Sequence, residues 1–307
     1  MKVPTLNKMV KVYIDAAKIE RLKCGKPSEG TVRNTLAGVR TFLRWLNDRR
    51  DKLGYERISF DEDFPLVSII KPKLIHKFLA DMLSADIKPI SALSYVTQFR
   101  QLFAKWTLPY YEDHGWKVPK FPELGGKPKT PRYIRPSAEQ LMKVKKWYKA
   151  LTAIQPNKYS YDLWFVATMM LEFGMRNGDI LRINSTNFLE HAGQVFLNYI
   201  PHKTEHSSGR VVKWPVHSDI WKRINNQLPD SIDMEVFARL NKIMRSFGFN
   251  GTKGAYELRK ISIDHVYQKF GAEMAVSLSG DDIKTIIHYY ADPSQPNIGN
   301  VRVSDLL

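Results

Sequence analysis

Residues 281–293 read DDIKTIIHYYADP, and the interpretation of the whole chain turns on them. Ile283, Ile286 and Ile287 are spaced to line one face of a helix, and the pattern stops near Pro293. Two adjacent tyrosines, Tyr289 and Tyr290, close the segment. Taken alone, such a pair at a helix end is ring packing. Upstream basic segments give it a second meaning, a hydroxyl that can be turned into a nucleophile.

The chain has 307 residues, enough for two domains, and 43% of them are apolar, enough for real cores. Its net charge is +16. An excess of that size points to a polyanionic partner, with nucleic acid first. A membrane surface fits less well, because the excess is spread along the chain and no polybasic tail abuts an apolar anchor. The one cysteine, Cys24, excludes an intramolecular disulfide, and no Cys/His cluster has zinc-finger spacing. MKVPTLNKMVKVY lacks the apolar stretch of a secretory signal, and the longest apolar run, Leu163 to Leu171, is too short to span a bilayer. The expectation is a soluble, cytoplasmic protein with no membrane partner.

Residues 1 to about 120 read as helical. Thr31 is the expected cap of a helix in which Val32, Leu36, Val39, Leu43 and Leu46 recur, widened by Phe42 and Trp45. Its other face carries Arg33, Arg40, Arg44, Arg49 and Arg50. Residues 1–50 hold twelve Lys and Arg against four Asp and Glu, so this face suits phosphates better than an ordinary solvated surface does. Further helices are expected over Pro72–Ser84 (Leu74, Phe78, Leu79 and Met82 inward) and Ser91–Leu108 (Leu93, Val96, Phe99, Leu102, Phe103 and Trp106 inward).

Residues 117–136, KVPKFPELGGKPKTPRYIRP, break regular structure with five prolines and a Gly-Gly pair. Lys117, Lys120, Lys127, Lys129, Arg132 and Arg135 make this linker a basic strap. The expected organisation is therefore a helical domain over 1–116, the linker over 117–136, and a second domain over 137–307.

In the second domain, Ser137–Leu151 and Tyr161–Phe173 read as helices, the latter ending at Gly174. Val195–Ile200 and Val211–Val216 read as a hairpin around HKTEHSSGR. Tyr256–Phe270 and the tyrosine segment return to helix. The fold class is thus mainly α with a small β-hairpin or sheet, an α+β second domain in a two-domain clamp.

Four segments carry the chemistry. Gly174-Met175-Arg176-Asn177-Gly178-Asp179 sets an arginine just past a buried helix, with Asp179 placed to support the turn or pair with it. Lys203 starts the hairpin turn. Tyr256 and Arg259 share a helical face. Tyr289 completes the set. Two guanidiniums can hold the non-bridging oxygens of a phosphodiester and stabilise charge in a pentacoordinate transition state. A lysine can protonate the leaving 5′-oxygen, and a tyrosine can attack phosphorus. Neither metal nor cofactor is called for, since Arg and Lys neutralise the charge.

This order of residues resembles the tyrosine recombinases, the phage integrase family, in a Cre- or Xer-like layout, across essentially the whole chain. GMRNGDILRI resembles the first-arginine box, which implies that Arg176 is the first catalytic arginine and Asp179 its acidic neighbour. His202-Lys203-Thr204 resembles the hairpin Lys-Thr, implying Lys203 as general acid. YELRKISIDH resembles the His-x-x-Arg box, implying Arg259 as second arginine, with His265 structural. Tyr256 stands where the box has histidine. Its unperturbed pKa of about 10 makes it a poor proton shuttle near neutrality. Gly280 falls at the later His/Trp position, where His288 or His202 can help, and Asp281 beside it would repel phosphate if it turned inward. Ile283-Lys284-Thr285 selects Tyr289 as nucleophile. The likeness of DDIKTIIHYYAD to the nucleophile helix of Cre-like enzymes implies Tyr289 too, so Tyr289 is the expected nucleophile; taking Gly280 as the glycine of the usual Gly-His selects its rival, Tyr290.

The resemblance implies a site-specific recombinase that cuts double-stranded DNA through a 3′-phosphotyrosine. It would bind inverted repeats as a homodimer and act as a homotetramer on a mobile element or the nucleoid, with no arm-binding domain expected ahead of the core-binding one. DNA contacts are expected from Arg33, Arg40, Arg44, Lys127, Lys129 and Arg132. Two alternatives stay open: a DNA-binding protein of this fold without chemistry, and a type IB topoisomerase.

Overall fold

A computed structural model of the chain describes residues 5–25, 27–53, 57, 71–104, 107–113, 115, 118, 120–121, 133–154, 157–205, 209–225, 228–229, 231–251 and 253–290. It divides into two compact units, Met1–Thr130 and Pro131–Leu307.

The first unit contains α1 (Leu6–Cys24), α2 (Glu29–Leu53), α3 (Pro72–Ser84), α4 (Pro89–Ala104) and α5 (Leu108–Asp113). Thr5 caps α1 through its hydroxyl, and Gly25, at φ +69°, closes it. The cap of α2 is Ser28 and not Thr31: the Thr31 N–H donates to Ser28 Oγ at 3.2 Å, so Thr31 lies inside the first turn. The apolar stripe of α2 is buried through Val39, Phe42, Leu43, Trp45 and Leu46. The Phe42 ring centroid lies 4.6 Å from Phe99 and 5.3 Å from Phe78, which ties α2 to α4 and α3. Gly38 allows the close approach of α2 to α4, since a Cβ there would fall 2.9 Å from Gln98 Cβ and 3.3 Å from Tyr95 O. α4 ends at Ala104, short of the expected Leu108, where a separate short helix begins; Trp106 lies outside the described residues.

Arg33, Arg40 and Arg44 are exposed on the outer face of α2. Arg49 leaves that stripe. It pairs with Asp81, which also accepts the Trp45 Nε1–H at 2.9 Å, and its guanidinium sits 4.9 Å from the Trp45 ring centroid. Of the expected strap, Lys117, Lys127, Lys129 and Arg132 lie outside the described residues, and Lys120 is exposed.

The second unit contains α6 (Ala138–Ala153), α7 (Lys158–Leu171), α8 (Asn177–Ile180), β1 (Phe188–His191), β2 (Gln194–Tyr199) and β3 (Val212–Pro215). α9 (Ser218–Asn225), α10 (Glu235–Ser246), α11 (Tyr256–Phe270), α12 (Ala272–Ser279) and α13 (Ile283–Tyr289) follow. The fold is mainly α with a small antiparallel sheet, as expected. Ser137 caps α6 in a reciprocal box whose partner is Gln140, because only the third helical position reaches back to the cap; the Glu139 of the Ser-x-Glu pattern does not. α7 is buried almost all round, with Trp164 and Phe165 inside, as befits a helix apolar on every side.

The sheet has one strand more than the expected hairpin. β1 pairs antiparallel with β2, and β2 with β3. Ala192 (φ +50°) and Gly193 (φ +77°) form the two-residue β1–β2 turn, whose positive dihedrals match the twist of the strands. Arg135, expected in the strap, is instead locked into this unit. Its Nε and Nη2 donate to Asp264 on α11 at 2.8 and 3.2 Å, with both side chains over nine-tenths buried, where each charge requires the other. In α13 only Ile286 is buried. Ile283 and Ile287 are half exposed, because the inward stripe runs through Ile286 and Tyr290.

Candidate active site

The site begins where α7 ends. Gly174, at φ +56°, turns the chain so that Arg176 stands at the start of α8. The Arg176 side chain is 14% exposed, with Nη1 3.7 Å from Asp179 Oδ2. Asp179 is buried and accepts the His202 N–H at 2.9 Å on Oδ1. That bond fastens the loop after β2 to the arginine turn. Lys203, next in that loop, is exposed. Thr204 N–H closes the loop onto Pro201 O at 2.9 Å.

Arg259, on α11, is completely buried. Its Nη1 donates to Gly174 O, its Nη2 to Asp281 Oδ2 at 2.6 Å and to Ser279 O at 3.3 Å, and its Nε to the Tyr290 hydroxyl at 3.4 Å. Burial disfavours its charge, but Tyr290, Tyr256 and Asp281 around it hold the proton more firmly than in a free guanidinium. The Tyr290 hydroxyl also lies 2.5 Å from that of Tyr256, and the two rings stand 6.3 Å apart, tilted. Tyr290 is 4% exposed, and burial raises its pKa above the ordinary phenol value, with Arg259 pulling the other way. Tyr289 points elsewhere. It is 44% exposed, edge-on to His288 at 4.4 Å.

The structure therefore brings together Arg176, Asp179, Tyr256, Arg259 and Tyr290, and leaves Tyr289 and His288 outside the cluster. His265 is half-buried further along α11. Gly280 supplies a turn and no functional group. It ends α12 at φ +66°, and a Cβ there would lie 2.7 Å from Pro201 Cγ and 3.2 Å from Val212 Cγ2. The side chain that enters the cluster is that of Asp281. It is 7% exposed and does turn inward: its Oδ1 accepts from Arg176 Nη2 while Oδ2 accepts from Arg259. Without DNA, its neighbours there are the two guanidiniums.

Tyr199 joins these residues from the sheet. The last residue of β2, it lies within electrostatic reach of both arginines and both aspartates, and burial raises the pKa of its hydroxyl. Its only sequence signal is the inward alternation Val195, Leu197, Tyr199. Among the described residues, no group of three or more His, Cys, Asp or Glu is placed to hold a metal ion.

No protein-family model matches the sequence, and no curated protein does. Solved structures match its fold. An XerH site-specific recombinase bound to palindromic difH substrate, in a post-cleavage complex, superposes with a TM-score of 0.58 at 13% identity, over 92% of this chain and 92% of that one. A pre-cleavage XerH complex gives 0.57 at 13%, over 93% and 95%. A lambda integrase tetramer bound to a Holliday junction gives 0.56 at 14%, over 95% of this chain and 79% of that one. The chain has the tyrosine recombinase fold. No described helix is long and apolar enough to cross a membrane.

Proposed function

We propose that this protein is a site-specific DNA recombinase that cleaves and rejoins strands through a 3′-phosphotyrosine on Tyr290. The observation that supports this most is the convergence of a buried tyrosine hydroxyl and a buried guanidinium, 3.4 Å apart, from α11 and the end of α13. Arg176 and Arg259 hold the non-bridging oxygens of the scissile phosphate. Tyr290 oxygen attacks phosphorus, the bond to the 5′-oxygen breaks, and Lys203 delivers the proton that oxygen needs. The phenol proton passes to Tyr256, the only side-chain hydroxyl bonded to Tyr290 among the described residues, which releases its own proton to solvent in the same step and so carries no charge, while Lys203 regains a proton from solvent. Overall, one proton moves from tyrosine to the 5′-hydroxyl and the phosphodiester energy is kept in the protein linkage. XerH was solved on its difH substrate, and lambda integrase on DNA as a dimer and as a tetramer, which supports DNA as substrate and a homotetramer as the acting form.

One observation favours a second reading. Asp281 occupies both arginines, so a DNA-binding protein of this fold that has lost cleavage fits the same geometry. A nicked suicide substrate built from DNA flanking the gene separates the two. A covalent adduct that survives Tyr289→Phe and vanishes in Tyr290→Phe supports the enzyme. Specific binding with no adduct under any condition refutes it.

A further inference from the structure

A phosphate-gripping pair of arginines should present free N–H donors to an incoming anion. This pair does not. The carboxylate of Asp281 bridges it, one oxygen to each guanidinium. Arg259 has its remaining bonds to Gly174 O, Ser279 O and the Tyr290 hydroxyl, so Nε and both Nη atoms are engaged. Arg176 Nη1 is cut off from solvent without a hydrogen-bond partner, 3.7 Å from Asp179. With Asp179, the cluster holds two cations and two anions, which makes it close to neutral before any DNA arrives.

Asp281 is not a loose side chain that happens to fall there. Gly280 is wedged against Pro201 and Val212 with no room for a Cβ. The Asp281 N–H donates to Ser279 Oγ at 3.1 Å, and Asp282 caps α13 by accepting the Thr285 N–H at 2.8 Å. The backbone on both sides of residue 281 is thus held, and it aims the carboxylate between the guanidiniums. A carboxylate and a phosphodiester present the same thing to such a pair, two oxygens sharing one negative charge.

Resting on the recombinase reading for its biological ligand, we infer that Asp281 is a built-in stand-in for the scissile phosphate. It holds Arg176 and Arg259 in the gripping geometry when no DNA is bound, and the phosphate must displace it to be gripped. Phosphate entry is then an exchange of one anion for another. Asp281 is a positioning residue in the free protein and a competitor during binding.

The test uses the full chain and inorganic tungstate, a tetrahedral oxyanion, titrated calorimetrically without DNA. Asp281→Asn keeps the size and removes the charge. It should bind tungstate about tenfold or more tightly than the wild type, and adding Arg176→Gln should abolish the gain. Equal or weaker binding by Asp281→Asn overturns the inference, because a merely structural aspartate would give that result. Should Asp281→Asn fail to fold, the wild type is followed by side-chain NMR. Tungstate that shifts both guanidiniums together with the Asp281 carboxyl carbon supports displacement; no saturable shift at the arginines, or an unmoved Asp281, overturns it. Since tungstate binding involves neither DNA nor a nucleophile, a failure of the nicked-substrate assay would sink the recombinase reading and leave this result standing, and the reverse also holds.

Discussion

Arg259 Nη2 and Asp281 Oδ2 lie 2.6 Å apart in a site from which solvent is almost entirely excluded. Removing one member of such a pair leaves a buried charge without its partner, which is far costlier than the pair is worth. The loop Ser279–Asp281, the arginine of α11 and the turn at Gly174 are therefore one electrostatic unit, and changes to any of them should be felt by the others.

Gly280→Ala tests that unity through sterics. Alanine must take a positive φ and collide with Pro201, so the loop has to shift. The expected loss is about 1–3 kcal/mol of stability in urea unfolding, together with loss of adduct formation. An alanine variant with full activity would show that the loop is not held as described.

Tyr256→Phe removes the hydroxyl 2.5 Å from Tyr290. Stability should fall by only about 1 kcal/mol, the net worth of one hydrogen bond. The rate of adduct formation on a nicked substrate should fall by about 10²-fold, the low end of a proton-transfer contribution. An unchanged rate would assign the phenol proton another route.

Charge reversal at Arg33, Arg40 and Arg44, the exposed stripe of α2, should weaken DNA binding and flatten its salt dependence. Each lost phosphate contact lowers the slope of log K against log salt by about 0.9. A slope that stays put would place the DNA on another face.

Glu172 predicts a pH dependence. Its Oε1 is cut off from solvent without a hydrogen-bond partner, and burial raises its pKa from 4.5 to about 8. Between those values the unfolded chain has lost the proton that the folded chain keeps. Stability should therefore fall as pH rises from about 5 to 8, by up to about 1.4 kcal/mol per pH unit. Denaturant midpoints across that window should show the decline, and Glu172→Gln should flatten it.

Much of the architecture was legible because helical spacing reports burial directly. Pro72–Ser84 and Tyr256–Phe270 were bounded to the residue from periodicity and breakers. β1 was not legible: four residues with three exposed carry no alternation, and Ala192-Gly193 is not one of the usual turn pairs. In the site, Arg176, Tyr256 and Arg259 could be picked out because each follows a recognisable helix end or shares a helix face. Which of two adjacent tyrosines turns inward could not be read from isoleucine spacing, since a seven-residue helix with one buried isoleucine leaves the stripe undetermined. In the sequence alone Asp281 reads as an anion that would repel phosphate if it turned inward. Its role depends on two arginines 105 and 22 positions away in sequence, a pairing that only the folded chain displays.

The bidentate bond between Arg135 and Asp264 has a mechanical consequence. Residue 135 lies just ahead of α6, yet its side chain grips α11, the helix that carries Arg259. Traction on the polypeptide at that point is resisted by α11 instead of being absorbed by the start of α6. A tug arriving along the chain is thereby transmitted to the helix bearing the buried arginine, five residues from it.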